Sequence, residues 1–106
     1  MKLEHISQKK LEKQLLKIFV KHLDLKKYKI FFFGSRVSGE NSERSDIDVG
    51  IKGTRPIDLA VLGKIKDEIE ELPILYKIDV VDFSRSDKDF QQIAQEYIEE
   101  ITYDKV

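Results

Sequence analysis

Asp46 and Asp48 stand two residues apart inside an apolar run, alternating with Ile47, Val49 and Ile51. Side chains at i and i+2 of a β-strand share a face. The two carboxylates would therefore stand side by side, with Cα atoms roughly 6.5 Å apart, about two strand rises. The aliphatic residues would point the other way, into a core. Carboxylates aimed at one spot repel each other unless a cation lies between them. Such a pair is a natural Mg²⁺ site that also uses substrate phosphates as ligands. Ten residues upstream of the pair, Phe31-Phe32-Phe33 runs into Gly34-Ser35. Glycine lets a backbone approach a ligand closely. A helical turn starting there would offer free N–H groups to an anion, and Ser35 would add a hydroxyl donor. A Gly-Ser dipeptide alone is only a turn signal. Next to two carboxylates on a neighbouring strand end, it reads as the phosphate side of the same site.

Phosphoryl-type chemistry with two metals calls for a third carboxylate. The run Lys77 to Phe83 supplies Asp79 and Asp82, which strand parity sends to opposite faces, so only one can join. Asp79 lies within Ile78-Asp79-Val80-Val81, where a charge is expensive without a partner or a metal. Asp79 is therefore the candidate, as a general base toward an attacking hydroxyl and as a ligand to a second metal. The alternative is a structural salt bridge to Lys77 or Lys29. Asp82, at the strand end, is free to be solvated.

The elements that must hold these groups follow from the hydrophobic period. Ser7 is an N-cap for a helix reaching about Leu23, with Leu11, Leu15, Ile18, Phe19 and Leu23 as its apolar stripe. Tyr28–Phe33 is nearly all apolar, as a strand covered on both faces would be. Gly34–Ser45 is a polar loop with one helical turn after Gly34, and Asp46–Lys52 is the second strand. Gly53-Thr54-Arg55-Pro56 suits a helix start with Pro56 in the first turn. Leu59, Leu62, Ile65, Ile69 and Leu72 then mark a helix that Pro73 ends. Lys77–Phe83 is a third strand. Ser86, with Asp87 and Asp89, caps a last helix whose stripe is Phe90, Ile93, Ala94, Tyr97 and Ile101. The expected fold class is α+β, α/β-like, with a small mixed β-sheet flanked by helices. The Gly34–Ser45 link is short for a parallel crossover, so antiparallel or mixed pairing of the first two strands is expected.

Gly34-Ser35-x10-Asp46-Ile47-Asp48-Val49, together with Ile78-Asp79-Val80-Val81, resembles the nucleotidyltransferase superfamily that includes DNA polymerase β and kanamycin nucleotidyltransferase. The compact chain is similar to its minimal members, the MNT half of HEPN/MNT toxin–antitoxin pairs. The resemblance implies a nucleotidyltransferase fold. It also implies two Mg²⁺ ions held by Asp46, Asp48 and Asp79. Gly34, Ser35, Arg36 and Ser45 are the implied nucleotide-binding residues, with ATP as substrate. The corresponding loop in this subfamily often reads Gly-Ser-Arg-x-Arg-Gly. Here Arg36 and Gly39 match, but Ser38 stands at the second arginine, leaving Arg44 and Arg55 as candidate replacements.

The totals agree with one small domain spanning residues 1–106. Nineteen basic and 20 acidic residues give a net charge of −1, so no strong nucleic-acid signal arises. Residues 1–29 nevertheless carry nine Lys against three acidic residues, and residues 84–106 carry three basic against six acidic. Both ends read as solvated helix faces, or as surfaces that meet a partner. Cysteine is absent, and no apolar stretch approaches ~18 residues, so a cytoplasmic protein without membrane contact is expected. His5 and His22 read as surface or packing residues, and Tyr97 and Tyr103 as core and edge. Tyr76 receives no role. The expected activity is AMP transfer from ATP to an acceptor hydroxyl, most simply on a HEPN-type partner. Neutralisation of such a partner by contact alone, and transfer to a small molecule such as an aminoglycoside, are the alternatives.

Overall fold

A computed structural model describes residues 1, 3–38, 46–94 and 98–102, with the backbone alone at Ser35, Ser38 and Ala94. Helix α1 spans Gln8–His22. The Ser7 hydroxyl caps it, accepting from the Lys10 N–H at 3.2 Å, and Leu11, Leu15, Ile18 and Phe19 are its buried stripe. Strand β1, Tyr28–Phe33, leads through Gly34 into the single-turn helix α2, Ser35–Ser38. Strand β2 is Ile47–Gly53 and helix α3 is Leu59–Glu70. Strand β3, Ile78–Asp82, passes into a 3₁₀ turn at Phe83–Arg85. Helix α4, Asp87–Ala94, and strand β4, Glu99–Ile101, complete the described chain.

The sheet runs in the order β3-β2-β1-β4. β1 pairs antiparallel with β2, as the short link predicts, and β2 pairs parallel with β3. One face of the sheet, carrying Ile30, Phe32, Ile47, Val49, Ile51 and Val80, packs under α1 and α3 in the main core. Lys21 and His22 of α1 both reach Glu68 of α3 and tie the two helices together. The opposite face holds an aromatic layer. Phe31 stacks on Phe83 with centroids 5.9 Å apart, and Phe90 of α4 meets Phe31 edge-on at 5.6 Å. Gly50 gives that layer room, because a Cβ there would collide with the Phe31 ring.

Three expectations need correction. The last helix does not run to Ile101. Glu99–Ile101 is a fourth strand, antiparallel to β1 with Ile30 opposite Ile101. The backbone edge of β1 needs a hydrogen-bonding partner, and in that pairing Ile101 is buried in the main core. Glu99 fixes the strand under α1, accepting from Gln8 Nε2 and from the Met1 amino nitrogen, both at 2.7 Å. Pro56 lies outside the first turn of α3, since Asp58 caps that helix by accepting from the Ala60 N–H at 2.9 Å. Leu59, at the helix start, is 70% exposed and does not belong to the buried stripe.

Candidate active site

The carboxylates lie on the aromatic face, at the end of the sheet where β1 stops and β2 and β3 begin. Asp46 immediately precedes β2, and Asp48 is flanked by Phe33 of β1 and Asp79 of β3 as register partners. The Ile47 N–H donates to the Lys77 carbonyl at 2.9 Å, which fixes the start of β2 against β3 and thereby aligns Asp48 with Asp79. Parallel neighbours lie about 4.8 Å apart. Ile47, Val49 and Ile51, fully buried beneath, leave the strand no freedom to slip.

Gly34 turns the chain above this pair. Its φ of +84° is left-handed, and a Cβ there would lie 3.2 Å from Asp48 Cγ, nearer still to Oδ2. The backbone that starts α2 therefore sits directly against a carboxylate, and the Val37 N–H closes the turn on the Gly34 carbonyl at 3.1 Å.

Asp48 is half-buried, and its pKa is raised above the ordinary carboxylate value. Loss of water contributes most, followed by the charges of Asp79 and then Asp46. Two like charges thus bear on Asp48. Asp79 makes no ion pair among the described residues, so the salt bridges to Lys77 or Lys29 are not formed. Asp82 has a separate task. It accepts from the Ile57 N–H and the Ser84 N–H, both at 2.8 Å, pinning the β2–α3 connection and starting the 3₁₀ turn.

Arg36 is 8% exposed, with its guanidinium carbon 4.7 Å from the centroid of the Tyr76 ring. The Tyr76 hydroxyl accepts from the Glu4 N–H at 2.7 Å and the His5 N–H at 3.1 Å, and the His5 ring lies 5.5 Å away. No spacing in the sequence announces this stack, because Arg36 and Tyr76 meet only through the fold. Arg55 is exposed beyond the far end of β2 and is not brought to Asp48. Ser45, Gly39, Arg44, Tyr97 and Tyr103 lie outside the described residues.

Among the described residues, no three acidic or histidine side chains close into a preformed metal cage. Mg²⁺ does not require one: it keeps several waters and is usually held by one or two carboxylates plus substrate phosphates. Hard oxygen donors whose charges bear on Asp48 fit such an ion. A cavity of about 290 Å³ opens beside β3, lined by Tyr76, Ile78, Asp79 and Val80 and by Ile69 of α3. A larger hollow of about 850 Å³ sits at the opposite end of the sheet, and none of the three aspartates lines it. The smaller cavity lies along the α3 side of β3 and reaches Asp79, while Gly34 and Asp48 lie outside its lining.

The sequence profile described as Polymerase beta, Nucleotidyltransferase matches residues 8–102.

The chain belongs to this nucleotidyltransferase family.

A curated relative, the probable protein adenylyltransferase MntA of Haemophilus influenzae, is 29% identical over 68 residues. The match covers 64% of this chain and 60% of that protein, so the chain spans about three fifths of its relative's length. Among solved structures, a chain of a toxin–antitoxin complex with AMP-PNP superimposes with a TM-score of 0.67 at 18% identity, covering 89% of this chain and 74% of the other. A chain from a tri-AMPylated Shewanella oneidensis HEPN toxin in complex with MNT antitoxin gives 0.66 at 16% identity, covering 92% and 74%. The mixed sheet with flanking helices is the nucleotidyltransferase fold of these neighbours. Among the described residues, no helix is long and apolar enough to cross a membrane.

Proposed function

We propose that this chain is an Mg²⁺-dependent nucleotidyltransferase that moves AMP from ATP to a hydroxyl of a HEPN-type partner protein, acting as its antitoxin. The observation that carries this reading is the alignment of Asp48 with Asp79 beneath the left-handed turn at Gly34. It is supported by the family, by the adenylyltransferase relative, and by structural neighbours in complexes with AMP-PNP and with an AMPylated HEPN toxin. In this reading residues 1–106 act as one domain.

Asp46 and Asp48, with Asp79, hold the ions. Bound Mg²⁺ supplies charge neutralisation on the phosphates and polarisation of the transferring group. Gly34 lets the triphosphate approach the backbone, with Ser35 and Ser45 donating hydroxyl hydrogen bonds to it. Arg36, stacked on Tyr76, lends positive charge to the phosphate side. Asp79 takes the proton of the acceptor hydroxyl as its oxygen attacks the α-phosphorus. The new O–P bond forms as the bond to the β-phosphate oxygen breaks. Pyrophosphate leaves with that electron pair.

The test is incubation of the chain with α-labelled ATP, Mg²⁺ and the product of the neighbouring gene as the partner. Label on the partner, lost in Asp46→Asn while the two proteins still bind, supports transfer. Inhibition of the partner that survives Asp46→Asn with no label on either protein refutes it and leaves neutralisation by contact, the reading that Ser38 in place of an arginine favours.

A further inference from the structure

We infer that the outer edge of β3 takes an extended, hydroxyl-bearing segment of the acceptor protein as an added strand, delivering that hydroxyl beside Asp79. The inference rests on the transfer reading above and names how the acceptor is held.

The first observation is the sheet order. β3 is the terminal strand, and no other described strand pairs with its outer side. The Ile47 N–H bonds to the Lys77 carbonyl, so the backbone groups of Lys77, Asp79 and Val81 face β2. Alternation then turns the N–H and C=O groups of Ile78 and Val80 outward, a row ready to pair with another chain.

Proteins usually blunt such an edge with proline, lysine, a bulge or brevity. β3 has five residues, and neither proline nor lysine interrupts Ile78–Asp82. Val81 is 39% exposed. The other edge strand, β4, has three residues, two of them glutamates. Of the two carboxylates on β3, Asp82 is already occupied by the Ile57 and Ser84 N–H groups, and only Asp79 faces the site. A cavity of about 290 Å³ lies beside this edge on the α3 side, where Ile74 and Ile78 stand among Lys66, Glu70 and Lys77.

The second observation is the direction of the chemistry. Across the sheet the order is Gly34 at the end of β1, Asp48 on β2, Asp79 on β3, then the open edge. Displacement at phosphorus is in line, with the attacking oxygen opposite the leaving group. With the departing pyrophosphate on the Gly34 side, the acceptor must come from the β3 side. A residue directly opposite Asp79 on an added strand shares its face, with Cβ atoms about 4.5–5.5 Å apart. Strand addition draws its affinity from main-chain hydrogen bonds, so this edge can hold a protein acceptor without a deep pocket.

Residue-resolved amide exchange tests this on the full chain, with and without the HEPN-type partner, alongside the labelling assay. Protection of the Ile78 and Val80 amides by about tenfold or more, with Glu100 on the other edge unchanged, is expected. Ile78→Pro removes one outward N–H at the first strand position, where proline is tolerated, and should slow labelling by about tenfold. Label transfer with the Ile78 and Val80 amides still exchanging as in the free chain overturns the inference and leaves the transfer reading intact. Protection without label keeps the docking surface and removes the activity. Concentration-dependent protection in the free chain places a second copy on this edge and overturns the choice of partner.

Discussion

The α-carbon of Gly34 abuts the Asp48 carboxylate so closely that a Cβ at residue 34 would lie 3.2 Å from Asp48 Cγ. The turn that starts α2 and the carboxylate that opens β2 are thus in contact across two strands. Backbone conformation makes the same demand independently, since φ at Gly34 is +84°. The phosphate side and the carboxylate side of the site are therefore one unit: displacing either moves the other.

Gly34→Ala tests this. A left-handed alanine costs about 1–2 kcal/mol, and the Asp48 side chain must also swing away. Urea denaturation should report a loss of at least that size. Displacement of a reacting group by about 1 Å can cost on the order of a hundredfold in rate, so labelling of the partner should fall to that extent. Gly63→Ala is the control of opposite sign. Gly63 lies exposed in α3 with nothing within 4 Å of its Cβ position, so alanine should stabilise by about 0.8–1 kcal/mol.

Two carboxylates should show opposite pH signatures. The pKa of Asp48 is raised, by burial first and then by Asp79 and Asp46. Its favourable contribution is therefore fully present below the unfolded value, about 3.9, and is lost as pH rises through the folded value. Asp48→Asn should melt higher than wild type at pH 7 without divalent ions, and the gap should close in acid. Mg²⁺ should raise the wild-type melting temperature and leave the variant nearly unmoved. Glu68 has its pKa lowered by hydrogen bonds from Lys21 first and His22 second. Its contribution is present above the unfolded value and is lost as pH falls through the folded one. Glu68→Gln should melt lower than wild type at neutral pH, and the two should converge in acid.

Tyr76 separates packing from phosphate binding. Tyr76→Phe keeps the ring under Arg36 but removes the acceptor for the Glu4 and His5 N–H groups. It should cost about 0.5–1.5 kcal/mol of stability while leaving ATP affinity close to wild type. Tyr76→Leu also removes the aromatic face, worth about 0.5–2 kcal/mol to a stacked guanidinium. It should weaken ATP binding by roughly two- to thirtyfold, the same energy expressed as affinity. Isothermal titration with ATP and Mg²⁺ distinguishes the two.

The sequence suggests the carboxylate pair because strand parity is local: the i, i+2 spacing reads as one face, and the charge of Asp46 does bear on Asp48, although Asp46 itself immediately precedes β2. The antiparallel β1–β2 pair is legible for a similar reason, since a short polar link leaves few alternatives. β4 is not legible. Ile101 continues the apolar spacing of Phe90 and Ile93, and only the open edge of β1, about 70 residues earlier in the chain, makes it a strand. The Arg36–Tyr76 stack joins two residues 40 positions apart and leaves no periodic trace. Leu59 fits the helical stripe by spacing but is the first residue of α3 and stays largely exposed.

Asp79 and Asp82 offer the sharpest separation of chemistry from structure, three residues apart on the same strand. Asp82 holds the Ile57 and Ser84 N–H groups, and Ile57 is itself buried. Asp82→Ala leaves both donors without their acceptor, at about 1–3 kcal/mol for such a group. Its melting temperature should drop clearly, while labelling per folded molecule stays near wild type. Asp79→Asn should do the reverse. It removes one of the charges pressing on Asp48, so stability should hold or rise, and labelling should fall by on the order of a hundredfold or more as the general base is lost. Melting curves and single-turnover labelling of the two variants decide the point. A stable Asp79→Asn that still transfers at the wild-type rate would remove Asp79 from the mechanism, and an Asp82→Ala that folds normally but cannot transfer would put Asp82 in its place.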